Sequence, residues 1–175
     1  NYFFFLNWFS WAEIKFHSIL SLNENTKSSP EILVFNQGRS EMYISENISK
    51  NIYVYKFDDK NEKFFLKDTI QTFSKQINSI DVCKKHNLLI YSIEDFSNYG
   101  KIIIYDLKEN NVIKIITVGH TPDMIKVNRN CTKILVANEG EEISNGIINP
   151  PGSLSIIDIL HKQKGNIKIK YDELF

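Results

Sequence analysis

The chain repeats one pattern three times, a short β-rich run, a polar acidic loop and a second β-rich run that ends in an aspartate. Glycine, proline and asparagine punctuate the loops, as they do between paired strands. The copies recur with a period of roughly 46 residues, which is the spacing of propeller blades. They are EMYISENISKNIYVYKFDD (Glu41–Asp59), LLIYSIEDFSNYGKIIIYDL (Leu88–Leu107) and KILVANEGEEISNGIINPPGSLSIIDI (Lys133–Ile159).

Short strands and tight turns fill the chain after Ser29, and no stretch sustains a helical period. We predict an all-β fold, a β-propeller with about three four-stranded blades, at residues 30–71, 76–118 and 122–172. Closed propellers have four to eight blades, and each blade buries both faces against its neighbours. The sequence therefore predicts an incomplete propeller whose remaining blades lie outside this chain. The predicted strands are Glu31–Phe35, Met42–Ser45, Asn51–Phe57, Phe64–Ile70, Ile77–Cys83, Leu88–Ile93, Lys101–Asp106, Val112–Val118, Asp123–Val127, Ile134–Ala137, Ser153–Ile159 and Ile167–Tyr171.

The first twelve residues, NYFFFLNWFSWA, are aromatic and apolar. They are too few to span a bilayer, and they end in a small-x-small pattern like that of a signal-peptidase site. We predict a truncated secretory signal at 1–12, with part of a membrane anchor or a packed N-terminal segment as alternatives. Residues 13–28 are predicted to be a linker. The chain is expected to be a piece of a longer protein that is secreted or displayed on the cell surface.

The 175 residues carry no formal net charge, and the lysines are scattered among carboxylates. A nucleic-acid surface would show a basic excess or stripe, so no nucleic-acid partner is expected. The two cysteines, Cys83 and Cys131, have no metal-binding spacing. We predict that they are small buried or edge residues rather than a disulfide.

One long motif carries a family resemblance. The run VGHTPDMIKVNRNCTKILVANEGE (Val118–Glu141), followed by PPGSLSIIDI (Pro150–Ile159), resembles the choice-of-anchor I domain. That family is a secreted β-propeller related to YVTN-type repeats, and it includes mesenchyme-specific cell-surface glycoproteins associated with biomineral deposition. Some bacterial members are labelled as phosphatases. The resemblance thus implies either an extracellular binding module or a hydrolase.

The repeat places carboxylates at equivalent positions. Three glutamates follow the second strand of each blade, and one aspartate enters the third blade. Loops of these two kinds share one face of a propeller, so we expect the four carboxylates to gather at one rim. Calcium takes six to eight oxygen ligands, which such a rim could supply. The predicted ligand or Ca²⁺-binding residues are Glu46, Glu94, Asp95, Asp123, Asn138, Glu139 and Glu141. The alternative is that these are solvated turn residues.

Other residues of the motif are interpreted as architecture. A glycine permits a turn, a proline fixes its direction, and aspartate or asparagine side chains cap exposed backbone N–H groups. Asp106 and Asp158, each after a third strand, are predicted to make repeated structural turns. The structural motif comprises Gly119, Pro122, Asp123, Met124, Gly140, Gly152 and Asp158.

We predict a secreted or cell-surface binding module whose partner is an extracellular protein, a glycan or a mineral surface, with Ca²⁺ as a candidate cofactor. No catalytic residues are assigned, because the sequence has no nucleophile elbow, phosphate loop or zinc pattern. A metal-dependent phosphatase-like hydrolase and a non-functional fragment are the alternatives. Secretion in a eukaryote would make Asn47 and Asn130 glycosylation sites, since each begins an N-x-S/T triplet.

Overall fold

The computed structural model of the protein describes residues 28–73, 76–94, 99–141, 149–163 and 166–174. At residues 161–163, 166–169 and 171–174 only the backbone is described. The predictions for residues 1–12 and for most of the linker fall outside these ranges. No helix in the described part of the chain is long and apolar enough to cross a membrane.

The described residues form three antiparallel four-stranded sheets. In each sheet, strands that are consecutive in sequence are neighbours. The first blade contains β1 (Pro30–Asn36), β2 (Glu41–Glu46), β3 (Asn51–Asp58) and β4 (Lys63–Gln71). The second contains β5 (Ile80–Cys83), β6 (Leu88–Ile93), β7 (Lys101–Asp106) and β8 (Asn111–Thr117). The third contains β9 (Pro122–Val127), β10 (Lys133–Asn138), β11 (Ser153–Gln163) and β12 (Asn166–Leu174).

The first strands of the blades lie side by side, since β5 contacts both β1 and β9. The predicted all-β class and the three four-stranded units are confirmed. One turn of 3-10 helix, Gln37–Arg39, joins β1 to β2.

The second blade is buried on both faces. In β6, Leu88 and Ile90 belong to the apolar cluster shared with the third blade, whereas Leu89 and Tyr91 belong to the cluster shared with the first. Successive side chains of a strand point to opposite faces, so a continuous apolar run such as LLIYSI can serve two interfaces. All six residues of β6 are buried.

Three strands, β5, β11 and β12, differ from their predicted bounds by three or more residues at one end, and β12 continues to Leu174. β5 begins at Ile80 rather than Ile77, because the Ser92 hydroxyl accepts the Ser79 N–H (2.9 Å) and replaces a regular ladder bond. β11 continues to Gln163. Asp158 therefore lies within a strand, paired with Lys133 across β10 and β11, and the predicted turn at Asp158 is wrong. Asp106 does cap its turn, accepting the backbone N–H of Lys108 (2.8 Å) and of Glu109 (3.2 Å).

The prediction that the cysteines are unpaired is also wrong. Cys83 at the end of β5 and Cys131 before β10 form a disulfide, with their Cα atoms 5.4 Å apart. The repeat places both cysteines at the same end of adjacent blades. Their separation of 48 residues in the sequence does not by itself indicate that they are neighbours. The bond fastens the second blade to the third. Asp81 adds a second link, since its Oδ2 accepts the Val127 N–H (2.8 Å).

We expect the double substitution Cys83→Ala and Cys131→Ala to lower the free energy of unfolding by about 2–4 kcal/mol, because a disulfide mainly restricts the unfolded chain. Chemical denaturation without reductant measures this change. Adding reductant should bring the wild-type protein to the value of the variant and leave the variant unchanged. Equal unfolding free energies of the two proteins without reductant would contradict the expectation.

The first blade contains a buried carboxylate, that of Glu41, close to the second blade. Glu41 is 2% exposed, and it accepts hydrogen bonds of 2.6 Å from Arg39 Nε, Tyr43 Oη and Lys67 Nζ. Burial alone raises the pKa of Glu41, but these three hydrogen bonds outweigh it and lower the pKa to about 2. Leu107 of the second blade lines the same small gap.

We expect Glu41→Gln to lower the free energy of unfolding at pH 7 by on the order of 2–3 kcal/mol, since each pKa unit is worth about 1.4 kcal/mol. Because the folded-state pKa is lowered, the contribution of Glu41 is present above pH 4.5 and lost as the pH falls toward 2. Unfolding curves from pH 7 to pH 2 should therefore converge for wild type and variant. A difference that stays constant across this range would argue against an ionised Glu41.

Candidate functional site

Acidic residues meet at the end of the sheets where β6 and β10 finish and β9 begins. Glu94 follows β6, Asp123 is the second residue of β9, and Glu139 and Glu141 follow β10. These four residues are named the acidic end. Backbone hydrogen bonds hold the loops together, with Glu139 N donating to Thr121 O (2.9 Å) and Gly140 N donating to His120 O (3.3 Å).

The four carboxylates interact electrostatically. Repulsion from Asp123, together with some burial and with Glu141 and Glu94, raises the pKa of Glu139. Burial raises the pKa of Glu94, with contributions from Glu141 and Asp123, against a hydrogen bond of 2.8 Å from Asn78 Nδ2 that lowers it. Like charges within reach of one another favour the protonated forms. Bound positive charge would relieve this repulsion.

Close packing shapes the loop that carries Glu139 and Glu141. Gly140 has a φ of +68°, which residues with a Cβ rarely adopt, and an added Cβ there would lie 2.5 Å from Pro150 O. A Cβ on Gly119 would lie 2.7 Å from the side chain of Asn138. The predicted structural roles of these glycines thus come from close backbone approach as well as from turn geometry. A Cβ added to Gly152 would lie 3.1 Å from Glu139 O.

Asn138 is 3% exposed at the end of β10. Its Nδ2 donates to Ser155 Oγ (2.8 Å) and Ser153 Oγ (3.1 Å), so it ties β10 to β11. Its Oδ1 is buried and has no hydrogen-bond partner among the described residues. Such an atom carries a desolvation cost unless a donor or a cation reaches it.

The other predicted residues are placed differently. Glu46 is the last residue of β2, and its carboxylate accepts the backbone N–H groups of Ser29 (2.7 Å), Ile48 (3.0 Å) and Ser49 (2.5 Å). It therefore caps a turn of the first blade. Asp95 lies outside the described residues. Pro122 is buried and Met124 is 52% exposed.

An aromatic pair adjoins the acidic end, a feature that the sequence did not reveal. The rings of Tyr99 and His120 have centroids 4.5 Å apart, and Tyr99 is half exposed. His120 immediately precedes Thr121, whose carbonyl binds Glu139 N. The pairing depends on the two loops that bring these residues together, since they are 21 positions apart in the sequence.

The acidic end is not a closed chelate. No three Asp, Glu, His or Cys side chains within the described ranges are close enough to hold one metal ion. Calcium also accepts backbone carbonyls and water as ligands, so two carboxylates can suffice for a weak site. The arrangement suits a cation that is exposed to solvent or displayed on a surface.

The predicted glycosylation residues lie in turns. Asn130 is exposed between β9 and β10, and Asn47 follows β2 with its Nδ2 donating to Glu31 Oε2 (3.1 Å).

Comparison with known proteins places this geometry in context. The model of the choice-of-anchor I domain matches residues 31–174. Similar solved structures include a provisionally assigned 6-phosphogluconolactonase of Bacteroides fragilis (15% identity, TM-score 0.59, covering 83% of this chain and 39% of that one). The periplasmic gluconolactonase of Pseudomonas aeruginosa is similar to this chain at 15% identity and a TM-score of 0.58, and the match covers 84% of this chain and 40% of that one. A Lactobacillus plantarum protein matches at 13% identity and a TM-score of 0.56, with 82% and 41% covered.

These structural likenesses establish the β-propeller fold and not an activity. The chain spans about two fifths of the length of the solved structures that it matches. No curated protein matches it by sequence.

We expect Asp123→Asn to lower the pKa of Glu139 and, to a smaller extent, that of Glu94, because the substitution removes a neighbouring negative charge. Carboxyl ¹³C chemical shifts followed through a pH titration measure both values. Glu109→Asn is the matched control, since Glu109 lies in the turn at the other end of the second blade. If the pKa of Glu139 did not move in the Asp123 variant, the four carboxylates would not form one electrostatic group.

Proposed function

The chain belongs to the choice-of-anchor I domain family, and we propose that it is an extracellular β-propeller binding module whose acidic end binds calcium. The calcium is either the free ion or Ca²⁺ displayed on a mineral surface. The observation that carries this proposal is the convergence of Glu94, Asp123, Glu139 and Glu141 at one end of adjacent blades, where the pKa values of Glu139 and Glu94 are raised.

Electrostatics supports the proposal. The charges of Asp123 and Glu141 raise the pKa of Glu139 and contribute to the raised pKa of Glu94, so the local potential is negative. A divalent cation lowers that potential more than a monovalent ion does, and oxygen ligands are those that Ca²⁺ prefers. The buried, unpartnered Asn138 Oδ1 in the same loop region adds a neutral oxygen of the kind that calcium accepts.

The spread of the carboxylates favours a surface over a deep ion site. An ion held by two carboxylates keeps most of its water and binds weakly. A mineral face instead presents many Ca²⁺ ions, so separated carboxylates can each contact one and the weak contacts act together. Exposed Glu139 and Asp123 are available for such contacts.

The disulfide supports the extracellular part of the proposal. Disulfides persist in oxidising compartments and are rare in the cytosol. The bond between Cys83 and Cys131 joins two blades of the fold. A secreted or surface-displayed protein would form it during export and keep it.

We expect the purified protein to bind Ca²⁺ weakly, with a dissociation constant on the order of 10⁻⁴–10⁻³ M as in extracellular modules, and to adsorb to hydroxyapatite. Binding should strengthen as the pH rises through the raised pKa values of Glu139 and Glu94, because only the ionised forms attract the cation. Calorimetry with CaCl₂ tests the free ion, and adsorption to hydroxyapatite tests the mineral.

The variant Asp123→Asn with Glu139→Gln should weaken binding about tenfold or more, whereas Glu109→Gln should not. Calcium affinity without adsorption would identify the free ion as the ligand. Absence of both, or equal binding by the double variant, would refute the proposal. Hydrolysis of p-nitrophenyl phosphate that depends on Asp123 and Glu139 would replace it with the alternative of a phosphatase-like hydrolase.

A further inference from the structure

A cavity of about 330 Å³ lies at the other end of the blades, where β1, β5 and β9 finish. The cavity and the acidic end lie at opposite ends of β9, because the acidic end is where β9 begins and the cavity is where it ends. A strand of six residues spans about 20 Å, so the two sites are distinct. The lining residues are Val34, Phe35, Asp81, Val82, Lys84, Lys126, Val127, Asn128, Arg129 and Cys131, and this set is named the basic cavity.

Three basic residues, Lys84, Lys126 and Arg129, line the cavity together with a single carboxylate, that of Asp81. Asp81 is already engaged. Its Oδ1 accepts Val82 N (2.8 Å), its Oδ2 accepts Val127 N (2.8 Å), and Lys126 Nζ lies 3.4 Å from Oδ2. Neither Lys84 nor Arg129 has an ion-pair partner among the described residues. The cavity therefore holds two positive charges that the described chain does not neutralise.

The walls of the cavity are held firmly. Val82 and Val127 are buried residues of adjacent first strands, and Phe35 contributes a partly exposed ring. The disulfide at Cys131 fixes the turn that carries Arg129 against the strand that precedes Lys84. Lys84, Lys126 and Arg129 are themselves exposed, and the backbone that positions them is fixed by these contacts. A flat basic surface would have neither the concave shape nor this support.

We infer that the basic cavity binds a small organic anion, one that carries a phosphate or carboxylate group on a body of about the size of a monosaccharide. Arginine and lysine pair with both kinds of group, and arginine does so through two parallel N–H donors. The volume is near the lower limit of small-molecule pockets. The valine and phenylalanine walls would cover the less polar face of the ligand. This site is independent of the calcium proposal, since it shares no residue with the acidic end.

Calorimetry with glucose 6-phosphate, glucuronate and uncharged glucose tests the inference. At least one of the two anions should bind and glucose should not, and the anion that binds identifies the preferred group. The double variant Lys84→Gln with Arg129→Gln should weaken anion binding about tenfold or more. Lys85→Gln is the matched control, because Lys85 is the exposed next residue of the same turn and does not line the cavity.

Unfolding curves should be the same for the double variant and for wild type, which confirms that any loss of binding is local. No binding of either anion at about 10 mM, equal binding of glucose, or unchanged affinity of the double variant would overturn the inference. Equal losses of affinity in the double variant and in Lys85→Gln would also overturn it, because they would indicate general charge attraction rather than the cavity.

Discussion

The structure depends on the burial of both faces of the second blade. Leu88 and Ile90 of β6 pack toward the third blade, and Leu89 and Tyr91 pack toward the first. Because the side chains of a strand alternate, one slip in register would exchange the two interfaces. Both neighbouring blades are therefore required to cover the apolar surface of β6 and β7. The disulfide and the bond from Val127 N to Asp81 secure one of these interfaces.

Burial of both sheet faces leaves the loops at the two strand ends as the places where polar chemistry can gather. Loops positioned by a rigid scaffold are where proteins usually bind ligands. Here the two ends have opposite character, with Glu94, Asp123, Glu139 and Glu141 at one and Lys84, Lys126 and Arg129 at the other. The acidic end and the basic cavity thus carry opposite local charge in a chain with no formal net charge.

Repetition made the fold predictable. The recurrence of two-strand units indicated four-stranded blades, and the need of each propeller blade to bury both faces indicated that the blades are stacked. The grouping of Asp123 and Glu139 also followed from the register. What the sequence could not indicate are contacts between loops of different blades, which include the disulfide and the meeting of Lys84 with Arg129. Two other residues, Glu46 and Asp158, make contacts that give them roles different from those predicted. Glu46 caps its own turn through three backbone N–H groups, and Lys133 holds Asp158 within a strand.

The central claim is that the two ends of the blades bind ligands of opposite charge. The most direct test is a map of amide chemical shifts on ¹⁵N-labelled protein, recorded first with CaCl₂ and then with glucose 6-phosphate. Calcium should move the amides of Glu94 and of Glu139 to Glu141, and the anion should move those of Lys84 and of Val127 to Cys131. Two separate sets of shifts would support the account. Overlapping sets, or no shifts with either ligand, would contradict it.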